Sequence, residues 1–173
     1  MAERPRFWFD IGSPWCWLAA EGVNHELDQV PEWVPVLAAE LPGAADAEPV
    51  DRAAVDRRAS ELGLPEVRWP DPFPFDSRTA MLAATFAKQS GRAVAFSLAA
   101  MRQAFAAGRD LSATDNVLLA AAACELHPRA LLKGIELRSV TDALREATEE
   151  AAALGIGELP AVSGEASGLG QQA

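Results

Sequence analysis

The sequence predicts an α/β fold in which one strand–turn–helix unit near the N-terminus organises a largely helical chain. The aromatic residues within 7–11 are typical of the end of a strand, and Gly12, Ser13 and Pro14 follow as a turn into a helix. Of the 173 residues, 50% are hydrophobic and alanine is very common, which favours a helix-rich protein with a proper core.

The first unit is predicted to be strand, helix, strand. Ser13 is a good N-cap because its hydroxyl can accept from an unpaired amide of the first helical turn, and Pro14 suits the first helical position. A helix between two strands favours parallel pairing, and Pro35 places the second strand at an edge or a bulge. The predicted bounds are 6–11 for strand one, 14–28 for helix one and 33–37 for strand two.

A long helical segment is expected to follow the second strand. The proline-rich stretch 65–74 indicates an irregular connection, and Ser112 to Asp115 is similar to a capping box. Near the end, residues 159–162 indicate a turn into a short strand, and 166–169 a weak returning strand. The predicted helices span 51–62, 93–107, 128–133 and 139–154; a further helix is capped by Asp76 or Ser77 and runs to 90, and another follows the capping box and runs to 126.

Charge and composition exclude several classes of function. The net charge is −10 and no basic cluster is present, so nucleic-acid binding is not expected. No apolar run is long enough to span a membrane, and the N-terminus lacks the apolar segment of a secretory signal, which predicts a cytoplasmic location. Neither Cys16 nor Cys124 has the His or Cys partners of a zinc site, so no metal is expected.

The motif Ser13-Pro14-Trp15-Cys16 resembles the active-site turn of the DsbA-like thioredoxin superfamily, with serine in place of the first cysteine of Cys-x-x-Cys. With the preceding strand and Asp10, it is similar to kappa-class glutathione transferases and 2-hydroxychromene-2-carboxylate isomerases. Residues 107–112, 153–156 and 158–160 recur in that order in the same branch. The alternative is a capped helix without chemistry.

The resemblance implies a thioredoxin-like fold with a large helical insertion. The implied division is 1–42 for the first thioredoxin-like half, 43–138 for the helical insertion and 139–173 for a truncated second half. It also implies that the Leu159-Pro160 peptide bond is cis, which would expose the backbone of Leu159 to a ligand.

The same resemblance implies a thiol-dependent isomerase or transferase that acts on a small aromatic or unsaturated substrate. Ser13 would be the catalytic residue, because its hydroxyl can donate to the anionic sulfur of glutathione or another low-molecular-weight thiol, and a helix N-terminus favours negative charge. For Asp76, a role as helix N-cap is the alternative to substrate contact. The implied substrate- and thiol-binding residues are Pro14, Trp15, Asp76, Leu159, Pro160 and Gln172.

Two other functions remain open at this point. Cys16 stands where a resolving cysteine would be, so the protein could be a DsbA-family thiol–disulfide oxidoreductase that works through Cys16, although packing is the simpler role for this residue. A degenerate thioredoxin-fold binding module without enzymatic activity is the third hypothesis. Cys124 lies in an apolar helical run and is expected to be a small buried side chain.

One departure from the family concerns the C-terminus. Relatives continue into a last helix whose start is similar to 170–172, with Asp where this chain has Gln172, and that C-terminal helix is apparently missing here. Helix one and the helix over 139–154 are expected to share one face of the sheet, so that the other face would lack cover. The sequence therefore predicts a marginal monomer or a homodimer that buries the gap.

Overall fold

A three-stranded sheet forms the centre of the fold in the computed structural model, which describes residues 3–164. The strand order is β2-β1-β3. The strands are β1 (Arg6–Phe9), β2 (Glu32–Pro35) and β3 (Ala161–Ser163). β1 pairs parallel with β2, opposite Trp33 at Phe7, and antiparallel with β3, opposite Ala161 at Trp8. The predicted α/β class and parallel first unit are confirmed, and β2 is an edge strand as Pro35 indicated.

Eight α-helices surround this sheet in the described part of the chain, and two short 3-10 helices, Ala38–Glu40 and Ala44–Asp46, follow β2. The α-helices are α1 (Pro14–Ala20), α2 (Val23–Glu26), α3 (Arg52–Glu61), α4 (Arg78–Gln89), α5 (Ala93–Phe105), α6 (Thr114–Ala123), α7 (Pro128–Gly134) and α8 (Arg138–Ala153). The irregular stretch predicted over 65–74 is present between α3 and α4, with cis peptide bonds at Asp71-Pro72 and Phe73-Pro74. The predicted strand over 166–169 and the residues 170–172 lie outside the described residues.

The side chains of β1 alternate between the two faces of the sheet. Phe7 and Phe9 belong to the large core that includes Trp17 of α1, whereas Trp8 packs with Val34 and with Ala151 of α8. The expectation that helix one and the long helix share a face is therefore wrong, since successive strand residues point to opposite faces. Both faces of the described strands carry a helix, so the gap that motivated a homodimer is not found in residues 3–164.

Helix one is shorter than predicted. It ends at Ala20, and the amide of Gly22 donates to the Ala19 carbonyl at 3.1 Å in a tighter turn before α2 begins. Glycine is a poor residue for a helix interior, which allows the break. A side chain at Gly22 would also collide with the carboxylate of Glu26.

The predicted capping box at Ser112 is wrong. The Ser112 hydroxyl donates to the Asp110 carboxylate at 2.8 Å, so it is engaged with the preceding loop. α6 begins at Thr114 with Ala113 as its N-cap and without a side-chain cap. Short polar side chains commonly form hydrogen bonds with nearby residues in this way. Here Ser112 bonds to Asp110 and does not accept from the amides at the start of α6.

An ion pair fixes the end of α1 against the helical layer. Arg102 of α5 donates to both carboxylate oxygens of Glu21 at 2.8 and 2.7 Å, and Trp17 donates to Glu21 at 3.0 Å. The hydrogen bonds from Arg102 lower the pKa of Glu21. Together with the burial of Trp17, this contact sets the direction in which α1 leaves the Ser13 turn.

Candidate functional site

The turn between β1 and α1 has the local structure that the sequence predicted. Ser13 is the N-cap of α1 and its Oγ accepts from the amide of Cys16 at 3.3 Å, while Pro14 occupies the first helical turn. The Ser13 amide donates to the Asp10 carbonyl at 3.1 Å. Within residues 3–164, the Ser13 hydroxyl hydrogen has no acceptor. Ser13 can therefore still donate one hydrogen bond to a ligand.

Asp10 fixes the position of this turn through hydrogen bonds of its buried carboxylate. Its side chain is 2% exposed and accepts from the amide of Gly12 at 2.7 Å, the amide of Ala38 at 2.9 Å and the hydroxyl of Ser77 at 3.0 Å. Burial raises the pKa of the Asp10 carboxyl, although these three donors act in the opposite direction. One side chain thus joins β1, the segment after β2 and the start of α4.

Asp76 lies at the start of α4, next to this network. Its exposed carboxylate accepts from the amide of Arg78 at 2.9 Å, but the N-cap of α4 is Ser77, so the predicted role of Asp76 as N-cap is wrong. Ser77 approaches the turn so closely that a Cβ added to Gly12 would lie 3.1 Å from the Ser77 Cβ. The fold therefore brings Asp76 to the neighbourhood of the Ser13 turn, while contact with a substrate stays a prediction.

On its other side, the start of α1 borders an open depression of about 780 Å³. Trp15, which is 36% exposed, lies on its wall together with Leu159 and Pro160. The Leu159-Pro160 bond is cis, as predicted. Trp15 follows Ser13 by two residues, so the structure brings three of the predicted binding residues together. The remaining lining residues are Leu18, Ala19, Glu26, Ala54, Arg57, Arg58, Glu61, Leu62 and Glu158.

Not every predicted site residue reaches this depression. The depression is not lined by Ser13, Asp76 or the buried Pro14, and Gln172 lies outside the described residues. Phe73, from the proline-rich stretch 65–74, also lies outside the depression, because it packs against Phe105 and Trp69 with ring centroids 6.0 and 5.0 Å apart.

Cys16 is fully buried in the first turn of α1. Burial raises the pKa of the Cys16 thiol to about 12. Both Cys16 and Cys124 are free thiols. Because the thiolate is the reactive form of cysteine, Cys16 is chemically inert at neutral pH, which favours the packing role over the redox role.

We expect Cys16 to be unreactive in the folded protein. A Cys124→Ser variant should react with iodoacetamide at pH 8 far more slowly than a free cysteine, because its remaining thiol is buried and has a pKa of about 12. The same variant should react fully in urea. In an insulin-reduction assay, Cys16→Ala and wild type should be equally inactive. Strong activity that Cys16→Ala removes would instead establish the oxidoreductase.

The described part of the chain offers no candidate metal site and no candidate membrane span. Within residues 3–164, no three His, Cys, Asp or Glu side chains are grouped so that they could hold a metal ion. No helix among those residues has the length and apolar character to cross a membrane.

Sequence reasoning assigned no role at the site to two residues that the structure places around it. Asp10 is the only charged residue in 7–18, and a carboxylate directly after a buried strand was a usable signal. Arg57 lies on the exposed side of α3, and nothing in its local sequence distinguishes it from Arg52 or Arg58. Only the packing of α3 against α1 brings it to the depression.

The chain combines a sheet with a helical crossover, a capped turn before α1, and a cis-proline that lines the same depression as Trp15. These features define a protein of the thioredoxin-like class. A family model described as DSBA-like thioredoxin domain matches residues 6–165, so the chain belongs to that family. No curated protein matches the chain.

Solved structures share this fold at low sequence identity. A 2-hydroxychromene-2-carboxylate isomerase has a TM-score of 0.80 at 16% identity, over 93% of this chain and 85% of its own. The cytosolic disulfide reductase DsbM from Pseudomonas aeruginosa has a TM-score of 0.69 at 16% identity, over 92% and 83%. A second DsbM structure, with GSH, has a TM-score of 0.68 at 16% identity, over 92% and 85%.

Proposed function

We propose that this protein binds a low-molecular-weight thiol, glutathione in the first place, beside Ser13 and uses it for isomerisation or transfer on a small aromatic or unsaturated substrate. The observation that carries the proposal is the free hydroxyl hydrogen of Ser13, two residues before Trp15, which lines an open depression. The Cys16 amide uses one of the two acceptor positions of the Ser13 oxygen. The hydroxyl hydrogen is still available to donate to a ligand.

The chemistry of the turn supports a sulfur that the ligand supplies. Serine cannot form a mixed disulfide, and the Cys16 thiol is buried and protonated. A hydroxyl can donate to a thiolate, and hydrogen bonds to a charged partner are about twice as strong as those between neutral groups. Ser13 is therefore suited to hold an anionic sulfur and unsuited to attack one.

The described residues fit such a thiol in size and character. The depression of about 780 Å³ lies within the usual range for small-molecule sites, and Trp15, Leu18 and Leu159 give it apolar walls. When bound, the thiol supplies the nucleophile, which adds to an unsaturated carbonyl compound and either leaves again after bond rotation or remains attached in a transfer.

The chain's own residues have three tasks in this proposal. Ser13 donates to the sulfur and favours its anionic form, Trp15 packs against the bound molecules, and Asp10 keeps the turn rigid through its three hydrogen bonds. Asp76 would contact the substrate from the start of α4. None of these tasks requires a histidine base.

The comparisons agree with this proposal without deciding the reaction. One neighbour in fold is an isomerase, and the reductase DsbM has a structure with GSH. A cytoplasmic location belongs to the same proposal, because free reduced thiols are abundant there. Whether the chain acts as a monomer or a homodimer is a separate prediction that light scattering would test.

Calorimetry with reduced glutathione is the direct test. We expect a saturable heat of binding in wild type, with a change of Trp15 fluorescence that Trp15→Phe removes. Trp69→Phe is the matched control, because Trp69 lies outside the depression. The absence of binding at millimolar glutathione would contradict the proposal. Binding without turnover of any unsaturated carbonyl compound would instead support the binding module.

A further inference from the structure

A second depression, of about 600 Å³, lies at the end of the sheet opposite to the Ser13 turn. Arg4, which precedes β1, and Pro31, which precedes β2, both line it, whereas Ser13 follows the other end of β1. Because β1 and β2 are parallel, both strands begin at this edge of the sheet. Within residues 3–164, the two depressions share no lining residue, so they are separate sites.

Three cationic side chains meet at this second depression, which we call the basic depression. They come from separate segments: Arg4 before β1, Lys88 near the end of α4 and Arg92 directly before α5. Among the described residues, Glu32 is the only acidic one that lines it, which leaves a net charge of +2. In a chain of net charge −10, the fold thus gathers cations that no stretch of the sequence brings together. A concave surface of this kind concentrates anions.

The two guanidinium groups are held in place by neutral partners. Arg4 donates to the backbone carbonyls of residues 30 and 31 at 2.9 and 3.3 Å, and Arg92 donates to the carbonyl of Cys124 at 2.9 Å. Arg92 also lies 3.9 Å from the carboxylate of Glu125, whose side chain is 88% exposed, and such a pair contributes little. A carbonyl orients a guanidinium without cancelling its charge, so both arginines keep their charge and unused N–H donors.

The third cation is paired with the single acidic residue of the lining. Lys88 donates to Glu32 in a part-buried ion pair. The hydrogen bond from Lys88 lowers the pKa of Glu32, and the positive charges of Arg6 and Arg4 act in the same direction. One carboxylate therefore lies in the field of several cations, and it leaves Arg4 and Arg92 available to a ligand.

We propose that the basic depression binds a small molecule that carries a phosphate or diphosphate group, with Arg4 and Arg92 donating to the phosphate oxygens. Cations on three separate segments suit a tetrahedral phosphate, whose oxygens accept from several sides, better than a planar carboxylate. Arginine can also donate two parallel hydrogen bonds to a phosphate. The volume lies in the range of small-molecule sites, and Val30, which is 53% exposed, offers apolar contact to the rest of the ligand. This site does not depend on the proposed function.

The experiment is calorimetry with inorganic pyrophosphate at 0.15 M salt, about physiological ionic strength. Arg4→Gln and Arg92→Gln should each weaken the binding of pyrophosphate about 10-fold, since each removes a charge-assisted hydrogen bond. Glu32→Gln should strengthen it about 5-fold, because it removes a negative charge from the lining. Arg109→Gln changes the net charge equally at an exposed position outside the basic depression, and it should leave the affinity unchanged.

The variants change the affinity in opposite directions, so a loss of folding cannot produce the expected pattern. Melting temperatures of all four variants would identify any that unfolds. Absence of pyrophosphate binding by wild type at millimolar concentration would overturn the proposal, and so would equal affinities of wild type, Arg4→Gln and Arg92→Gln.

Two further ligands test the class of molecule. Citrate, a tricarboxylate, should bind about 10-fold more weakly than pyrophosphate, and equal binding would overturn the assignment of a phosphate. A tetraglutamate peptide that bound more tightly than pyrophosphate would assign this surface to an acidic protein partner instead. Millimolar reduced glutathione should leave the affinity for pyrophosphate unchanged, since the two depressions share no lining residue within 3–164. Competition between the two ligands would show that the basic depression is not a separate site.

Discussion

Asp10→Ala should lower the free energy of unfolding by about 3 kcal/mol, because it leaves three hydrogen-bond donors without their acceptor. These donors are the amides of Gly12 and Ala38 and the hydroxyl of Ser77, the last of them buried. For a chain of this length the melting temperature should fall by about 6–12 °C. Thermal unfolding followed by circular dichroism is the measurement.

Asp76→Ala is the control for this effect. It also removes an aspartate that accepts a hydrogen bond from a backbone amide, but at an exposed position, and should cost about 1 kcal/mol, as the loss of one ordinary hydrogen bond does. If Asp10→Ala is no more destabilising than Asp76→Ala, then Asp10 does not hold the three segments together. The start of α4 and the Ser13 turn would then be positioned by the apolar core alone.

Asp10→Asn tests the ionisation of the same side chain. Because burial raises the pKa of Asp10, the folded protein holds this proton more tightly than the unfolded chain does. The resulting stabilisation is present below the unfolded pKa of about 3.9 and is lost as the pH rises through the folded pKa. The stability advantage of wild type over Asp10→Asn should therefore shrink from acid to neutral pH. An advantage that grows over this range would show that the pKa of Asp10 is not raised.

Local rules explain what could be predicted from the sequence. Three features follow from the chemistry of one residue and its neighbours: the N-cap at Ser13, the proline at the first helical position, and the edge strand that contains Pro35. Most helix positions followed from the period of apolar residues. The cis bond before Pro160 was expected from the family resemblance and not from any local pattern.

Contacts between distant segments explain what could not be predicted. The amphipathic pattern of α8 predicts that one face of this helix packs against other parts of the protein. The pattern does not say which face of the sheet the helix covers, because that depends on Trp8 and Val34 pointing away from α1. Ser112 has two possible partners, and only the structure shows that Asp110 is the one it bonds. Arg57 reaches the depression because α3 packs against α1, which no spacing in the sequence indicates.

Replacing Ser13 should have the largest effect on the chemistry of a bound thiol. A hydrogen bond from the Ser13 hydroxyl to a thiolate is worth about 1.5–3 kcal/mol, and each pKa unit corresponds to about 1.4 kcal/mol. The pKa of the bound glutathione thiol should therefore be about 1–2 units higher in Ser13→Ala than in wild type. A pH titration of thiolate absorbance in the ultraviolet measures it.

Ser13 has a second role, as the N-cap of α1, and the two roles have to be separated. Ser13→Ala loses both the cap and the donor, whereas Ser13→Gly retains most of the capping preference and loses the donor, and Ser13→Thr retains both. We expect the thiol pKa to rise equally in the alanine and glycine variants and to stay low in the threonine variant. A pKa that followed helix stability, with glycine close to wild type, would mean that the capped turn and not the Ser13 hydroxyl stabilises the thiolate.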